Sequence, residues 1–278
     1  MSSTDRCLPK TPSIARIVSN QHLSGGIYRA LLRMADDWGP SLPGQFVQVE
    51  CPPREAFAMW RPFSISRFRA ERHELELVYG VVGLRTLRLS ELTAGEELCL
   101  IGPLGRGFEA VSGRRPILIG GGRGIAPMIG LAERWRESLP DGRILYGARS
   151  RDLLIPIDDP PYAVWLATED GSAGFKGNVI ELLEAAIARR EIDPATIALY
   201  ACGPNRMLAA LSVWAESRGV PCLVSLETHF GCGVGICAGC AVPVRPRDGE
   251  DAFARYRFAC VEGPVMDGTR VEWEGVAE

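Results

Sequence analysis

Four cysteines toward the carboxyl end, Cys232, Cys237, Cys240 and Cys260, have the residue type and spacing for inorganic chemistry. The first three sit in Cys232-Gly-Val-Gly-Ile-Cys237-Ala-Gly-Cys240, and Cys260 follows a loop rich in Arg and Pro. A C-x4-C-x2-C loop with a distant fourth cysteine is the plant-type [2Fe–2S] spacing. Zinc is the competing reading, but structural zinc sites usually pair two short C-x2-C-like knuckles, and here one pair is stretched and the fourth ligand has no near partner. Glycines at 231, 233, 235 and 239 favour iron, since a backbone wrapped around sulfur needs positions without Cβ and amides free to turn inward. Small buried thiols of a core would not cluster in a glycine-rich loop.

The elements that must position such a site divide the 278 residues into three parts. From Thr11 to Leu100 the apolar residues alternate in short runs, at Ser13–Val18, Ile27–Met34, Gln45–Cys51, Pro62–Ser66, Glu74–Val81 and Glu96–Ile101, broken by Gly, Pro and Asp. This predicts an antiparallel barrel or sandwich, with one helix over Arg85–Leu92. From Pro116 the pattern changes to strand, loop and helix. Apolar runs at Pro116–Ile119, Arg143–Gly147, Ala163–Ala167, Thr196–Ala201 and Cys222–Leu226 alternate with helices after Ala126 and over Asn178–Arg190 and Asn205–Arg218. Such runs predict a parallel sheet covered on both faces. The fold expected is therefore α+β and multidomain: an antiparallel barrel over 1–112, an open parallel α/β nucleotide-binding domain over 113–226 and a small cluster-binding domain over 227–278.

Two stretches of the barrel carry candidate binding groups. Arg61-Pro62-Phe63-Ser64 offers a guanidinium fork beside a hydroxyl, suited to a pyrophosphate and a ring nitrogen; alone it reads as surface, and only the neighbouring motifs favour a site. Val78-Tyr79-Gly80 runs through Val81-Val82-Gly83-Leu84 into Arg85-Thr86 where a strand gives way to a helix, a ready anion site, with Tyr79 as an aromatic face or as packing. In the second part, Gly120-Gly121-Gly122-Arg123-Gly124 follows the first strand, and Cys202-Gly203-Pro204 follows a later one. Both loops lie at carboxyl ends of strands, where open α/β sheets bind ligands, and for the first a tight turn without a ligand is the alternative. Arg149 and Arg151 read as a ribose or 2′-phosphate contact or as solvated surface.

Composition excludes other classes. Hydrophobic residues make up 46% and charged residues 23%, a globular balance, and a net charge of −3 gives no basic field for nucleic acid. No apolar run is long enough for a membrane span, and Met1 to Lys10 lacks a secretory signal's apolar core. An odd count of nine cysteines then favours a reducing cytoplasm, with Cys7, Cys51, Cys99 and Cys222 as ordinary thiols. His22, His73 and His229 form no evident triad or metal set.

These stretches in this order resemble the ferredoxin–NADP reductase superfamily and, within it, the electron-transfer subunits of NAD-linked dihydroorotate dehydrogenases. The resemblance covers nearly the whole chain. It is most specific from Ser225-Leu226-Glu227 through the cysteine loop to Cys260-Val-Glu-Gly-Pro-Val265, where the cluster follows the nucleotide domain. It implies that Arg61, Pro62, Phe63, Ser64, Val78, Tyr79, Gly80 and Thr86 hold FAD. Gly121, Gly122, Gly124, Cys202, Gly203 and Pro204 would face NAD, with Cys202 near the nicotinamide. Two positions depart from the family pattern: Arg85 stands where a glycine is usual, and Arg123 where an aliphatic residue is usual. Each either adds a phosphate contact or crowds the approach, and Arg85 is kept among the candidate FAD residues.

A nicotinamide exchanges two electrons as hydride and a [2Fe–2S] cluster accepts one, so the chemistry requires a flavin between them. No protein acid or base is needed, and Ser64 is the expected hydrogen-bond partner near the flavin N5. The resemblance further implies a partner, an FMN-containing dihydroorotate dehydrogenase catalytic subunit joined in a heterotetramer, docking near the cluster loop. The alternatives are a reductase of the same superfamily that serves a hydrogenase, sulfite reductase or ferredoxin from NAD(P)H, and a zinc adaptor without redox chemistry.

Overall fold

The computed structural model describes residues 11–35, 38–52, 60–246 and 255–276, so Cys7 lies outside the described residues. Six strands, β1 (Ser13–Ser24), β2 (Ile27–Arg33), β3 (Phe46–Val49), β4 (Arg61–Arg69), β5 (Glu74–Gly80) and β6 (Glu97–Leu104), close into a barrel in the order β1-β2-β5-β4-β3-β6. Their alternate side chains, among them Ile17, Leu32, Val47, Leu75, Leu77 and Leu100, fill its interior. β1 runs well past the expected end at Val18, because its polar continuation pairs with β2 across a Gly25-Gly26 turn. Asn20 in that extension donates to the carbonyls of Leu89 and Leu92 at 2.8 and 3.0 Å, which ties down the end of helix α1 (Leu84–Ser90).

The second part contains β7 (Arg115–Gly121), α2 (Ile125–Trp135), β8 (Arg143–Ala148), β9 (Ala163–Thr168), β10 (Phe175–Lys176), α3 (Val179–Ala188), β11 (Ile197–Cys202), α4 (Asn205–Arg218) and β12 (Cys222–Ser225). The expected apolar runs are the buried strands of this sheet, ordered β10-β9-β8-β7-β11-β12 with every neighbour parallel. Asn178 starts α3 rather than lying within it, its side chain accepting from Ile180 and Glu181 while Glu181 caps in return. β10 escapes periodicity because two residues carry none.

The tail adds β13 (Ala241–Pro243), β14 (Tyr256–Phe258) and β15 (Val265–Asp267). β13 and β14 form a small antiparallel ladder around the cysteine loop, but β15 joins the large sheet as an antiparallel edge beside β12. The carboxyl-terminal part is thus fastened to the nucleotide sheet by backbone hydrogen bonds.

Barrel and sheet meet at α2 and β4. β4 turns Phe63 and Ile65 inward and leaves Pro62, Ser64 and Ser66 outside; α2 covers Ser66. Gly130 makes this approach possible, since a Cβ there would collide with the Ser66 carbonyl oxygen. Across the same seam Arg67 pairs with Glu133 of α2 at 3.1 Å and with the buried Glu76 at 3.6 Å.

Candidate functional site

The outward row of β4 continues from the seam into a crevice of about 300 Å³ between the barrel and the carboxyl ends of the sheet strands. Its walls come from three directions. The barrel supplies Arg61, Pro62, Phe63, Ser64, Val78, Tyr79, Gly80 and Thr86, the loop after β7 supplies Gly124, the end of β11 supplies Cys202, and the segment after β12 supplies Glu227, Thr228 and Phe230. Most of the expected FAD residues and two of the expected NAD residues, Gly124 and Cys202, therefore face one cavity.

Within that set the side chains are not equivalent. Phe63 and Tyr79 are almost wholly in the barrel core, edge to face at 5.7 Å, and the Tyr79 hydroxyl donates to Asn20 at 2.9 Å. Burial pushes the Tyr79 phenol up to about 12, against the Asn20 contact. Both residues shape the floor, leaving Arg61 and Ser64 as the polar groups of β4 exposed to the cavity. The Thr86 hydroxyl accepts from the amides of Val82 and Gly83 at 2.9 and 3.2 Å, so it braces the turn before α1. Arg85 points elsewhere, with a 3.0 Å bond to the Cys51 carbonyl, and does not line the crevice.

On the sheet side, Gly124 sits so close to the end of β11 that a Cβ would strike the Cys202 carbonyl; this brings the two loops together. Gly121, Gly122 and Gly203 do not line the crevice, and Pro204 belongs to an adjoining hollow with Asn205, Arg206 and Thr228. Arg151 is engaged by the Ser172 carbonyl at 3.0 Å. Cys202 is fully enclosed, and burial, reinforced by the nearby Glu227 carboxylate, lifts its thiol to about 12, so it stays neutral.

Four further residues complete the crevice, of which Phe46 and Phe230 had no motif to signal them. Arg123 reaches from the β7 loop across to the barrel, where its guanidinium lies against Gly80. Glu227 opens on the crevice, yet the protein crowded around its carboxyl raises its pKa above the ordinary value, with Arg123 pulling the other way. Phe46 of β3 and Phe230 pack at 4.8 Å between ring centroids, and they close the crevice on the side of the cysteine loop. An acid directly after an apolar strand, at Leu226-Glu227, was the available sequence signal for one of them.

The cysteine loop follows directly, positioned by the Asn205 side chain bonding to the Glu227 carbonyl at 2.8 Å and by Leu226 bonding to the Pro264 carbonyl at 3.0 Å. The sulfurs stand as two pairs, Cys232 beside Cys237 and Cys240 beside Cys260. Among the described residues no three His, Cys, Asp or Glu side chains gather around a single-ion position. Amides of Val234, Ile236 and Cys237 point at the Cys232 sulfur at 3.3 to 3.4 Å, those of Cys232 and Gly239 at Cys237, and that of Gly235 at Cys260 at 3.2 Å. Burial opposes ionisation of Cys232, but the amides outweigh it and bring the thiol down to about 6. Cys260, enclosed and beside Cys240, is pushed up to about 12. Two thiol pairs ringed by inward amides fit a cluster of two irons, which Cys232, Cys237, Cys240 and Cys260 would hold as thiolates while the amides would bond to sulfur.

A barrel, a parallel sheet and a crevice between them, with a thiolate cage beside the crevice, define an oxidoreductase of the ferredoxin reductase class that carries an iron–sulfur domain. The comparisons agree. Residues 227–272 match the iron–sulfur cluster binding domain of dihydroorotate dehydrogenase B. The chain is 34% identical over 91% of its length, and 95% of the relative's, to the electron transfer subunit of dihydroorotate dehydrogenase B (NAD(+)) of Caldanaerobacter subterraneus, and 35% identical over 84% to that of Desulforamulus reducens, covering 88% of it. A solved chain of an NADH-dependent reduced ferredoxin–NADP oxidoreductase superposes with a TM-score of 0.80 at 27% identity, covering 94% of this chain and 91% of the other. This chain belongs to the family of dihydroorotate dehydrogenase B electron transfer subunits, with an iron–sulfur binding domain on the FAD- and NAD-binding ferredoxin reductase fold.

Proposed function

We propose that this chain passes electrons between NAD(H), FAD in the crevice and a [2Fe–2S] cluster on Cys232, Cys237, Cys240 and Cys260. The electrons come from dihydroorotate oxidised in a separate FMN-containing catalytic subunit, in the cytoplasmic synthesis of pyrimidines. The observation that carries this reading is the single crevice walled by barrel, nucleotide loops and the cluster's approach. We assign FAD to residues 1–112, NAD to 113–226 and the cluster to 227–278.

When bound, FAD supplies the conversion between the paired electrons of a nicotinamide and the single electrons of a cluster. The chain's own groups do the rest. Arg61 holds the flavin's pyrophosphate and Ser64 orients the ring. Gly124 and Cys202 leave a smooth, uncharged wall for the nicotinamide, and Arg123 reaches across it as a cation for the nucleotide. Phe46 and Phe230 exclude water between crevice and cluster. Ile236, 84% exposed at the tip of the cluster loop, marks where the partner subunit docks. No helix among the described residues is long and apolar enough to cross a membrane.

The test mixes the purified chain, first counted for iron, sulfide and FAD, with a dihydroorotate dehydrogenase catalytic subunit and follows NADH formation from dihydroorotate. NADH formation dependent on both proteins is the expected result. Full cofactor loading with no NADH formation overturns the pyrimidine assignment. Activity with ferredoxin instead would favour the second reading, a NAD(P)H-linked ferredoxin reductase subunit, which is supported by the likeness to the NADH-dependent ferredoxin–NADP oxidoreductase chain.

A further inference from the structure

β3 carries a buried amide that the barrel does not use. Gln48 is 1% exposed, and neither its Nε2 nor its Oε1 has a hydrogen-bond partner among the described residues. Gln45, three positions earlier, makes the contrast: its Oε1 accepts from the Leu42 amide at 2.7 Å and its Nε2 donates to the Gly105 carbonyl at 2.9 Å. A native fold seldom leaves both ends of a buried amide unpaired, so an unpaired one points to a partner that arrives with a ligand.

The placement of Gln48 says which ligand. Strand alternation puts it on the face of β3 that carries Phe46, and that ring packs on Phe230 just ahead of the cysteine loop. Its neighbours across the ladder are Pro62 of the crevice wall and Ile101. The side chain ends against Gly233, between Cys232 and Val234: a Cβ on Gly233 would lie 2.6 Å from the Gln48 Nε2. Gly233 also holds φ +73, a conformation that side chains rarely adopt, so the loop keeps this position bare. The amide therefore occupies the gap between the flavin crevice and the loop whose other amides already converge on sulfur.

We propose that the Gln48 side-chain NH2 donates a hydrogen bond to sulfur of the cluster held by this loop, and that the barrel thereby sets the cluster's reduction potential. This rests on the [2Fe–2S] reading above. The reduced cluster carries one more negative charge, so a donor to its sulfur stabilises the reduced form and raises the potential. Gln48 is a positioning and tuning residue; it ligates no iron.

The chain has three glutamines, Gln21, Gln45 and Gln48, which makes a direct test practical. The holoprotein is prepared with side-chain 15N-glutamine, loaded with cluster as verified by iron and sulfide counts, and reduced. Pulsed electron paramagnetic resonance is expected to find a 15N coupling to the cluster spin; its absence overturns the proposal. In parallel, Gln48→Leu keeps the bulk and removes the donor. It is expected to retain its iron, lose the coupling and lower the midpoint potential by roughly 59 mV, a tenfold shift in the one-electron equilibrium. An iron-loaded Gln48→Leu with unchanged potential and unchanged spectrum also overturns it. If Gln48→Leu loads no cluster, the labelled native protein decides alone. Absence of iron from the native protein is the failure of the functional reading, and is distinguishable from failure of this one.

Discussion

In the cluster loop, six amides within residues 232–239 turn toward three sulfurs, whereas the crevice draws its walls from positions as distant as Phe46 and Pro264. The loop's geometry is set by its own backbone, closed by one remote residue, Cys260. The crevice exists only while barrel and sheet keep their mutual position, which Gly130, Ser66, Arg67 and Glu133 maintain at the seam. A local site should fail through loss of its ligands, and an assembled site through loosening of its frame.

The largest expected effect separates the two sites at the ligands. Cys237→Ser removes one thiolate of the exposed pair. Iron and sulfide per chain should fall, while FAD content and NADH oxidation by a flavin-reactive dye persist. Dihydroorotate-driven NADH formation with the catalytic subunit should drop by more than about 100-fold. Loss of FAD along with iron would show that the sites are not independent.

Arg61→Ala makes the reverse cut. A hydrogen bond to a charged group contributes about 1.5–3 kcal/mol, so FAD affinity should weaken roughly 10- to 150-fold. Flavin retained after desalting and titration of the apoprotein measure this, and the visible spectrum of the cluster should stay unchanged.

The same contrast governs what could be read from the residues alone. The iron–sulfur domain was legible because the cysteine spacing is itself its signature, and the barrel strands because alternation reports which face is buried. Val265–Asp267 gave no signal as a strand: three residues carry no period, and their partner, β12, is reached only after the tail folds back. Phe46, Gln48 and Phe230 were missed for a related reason, since each matters through a neighbour far away in sequence. In the structure all four residues of Phe46–Val49 are buried, so both faces of β3 are covered, and four residues are too few for a pattern to report it. Arg85 lies off the crevice wall because motif position alone does not fix where a long side chain points, and here it bonds to the Cys51 carbonyl.

Breaking the frame should have a smaller effect, and one confined to the assembled site. Gly130→Val forces a branched side chain against the Ser66 carbonyl, and overpacking of this kind costs about 1–3 kcal/mol. For a chain of this size that lowers Tm by roughly 2–12 °C. FAD should be released more readily from the variant, while iron content and the cluster spectrum stay at the native level. Calorimetry and flavin fluorescence during desalting follow the two effects separately.

The smallest expected effect lies where the two sites touch, at Glu227. The surrounding protein raises the pKa of its carboxyl above the ordinary carboxylate value, and Arg123 partly offsets the rise. A raised carboxyl means that the folded chain holds its proton more tightly than the unfolded one. The site's contribution to stability is therefore full below about pH 4.5 and is lost as pH rises through the folded-state value. Glu227→Gln removes that loss, so the variant should melt slightly above the native protein at pH 8, with the gain shrinking to nothing toward pH 4. The gain should be modest, because the crevice admits water to this carboxylate. Arg123→Ala removes the opposing cation, so Glu227→Gln should gain more in that background than alone, a coupling that a double-mutant cycle of Tm at pH 8 measures. Equal gains in the two backgrounds would show that Arg123 is not electrostatically engaged with Glu227.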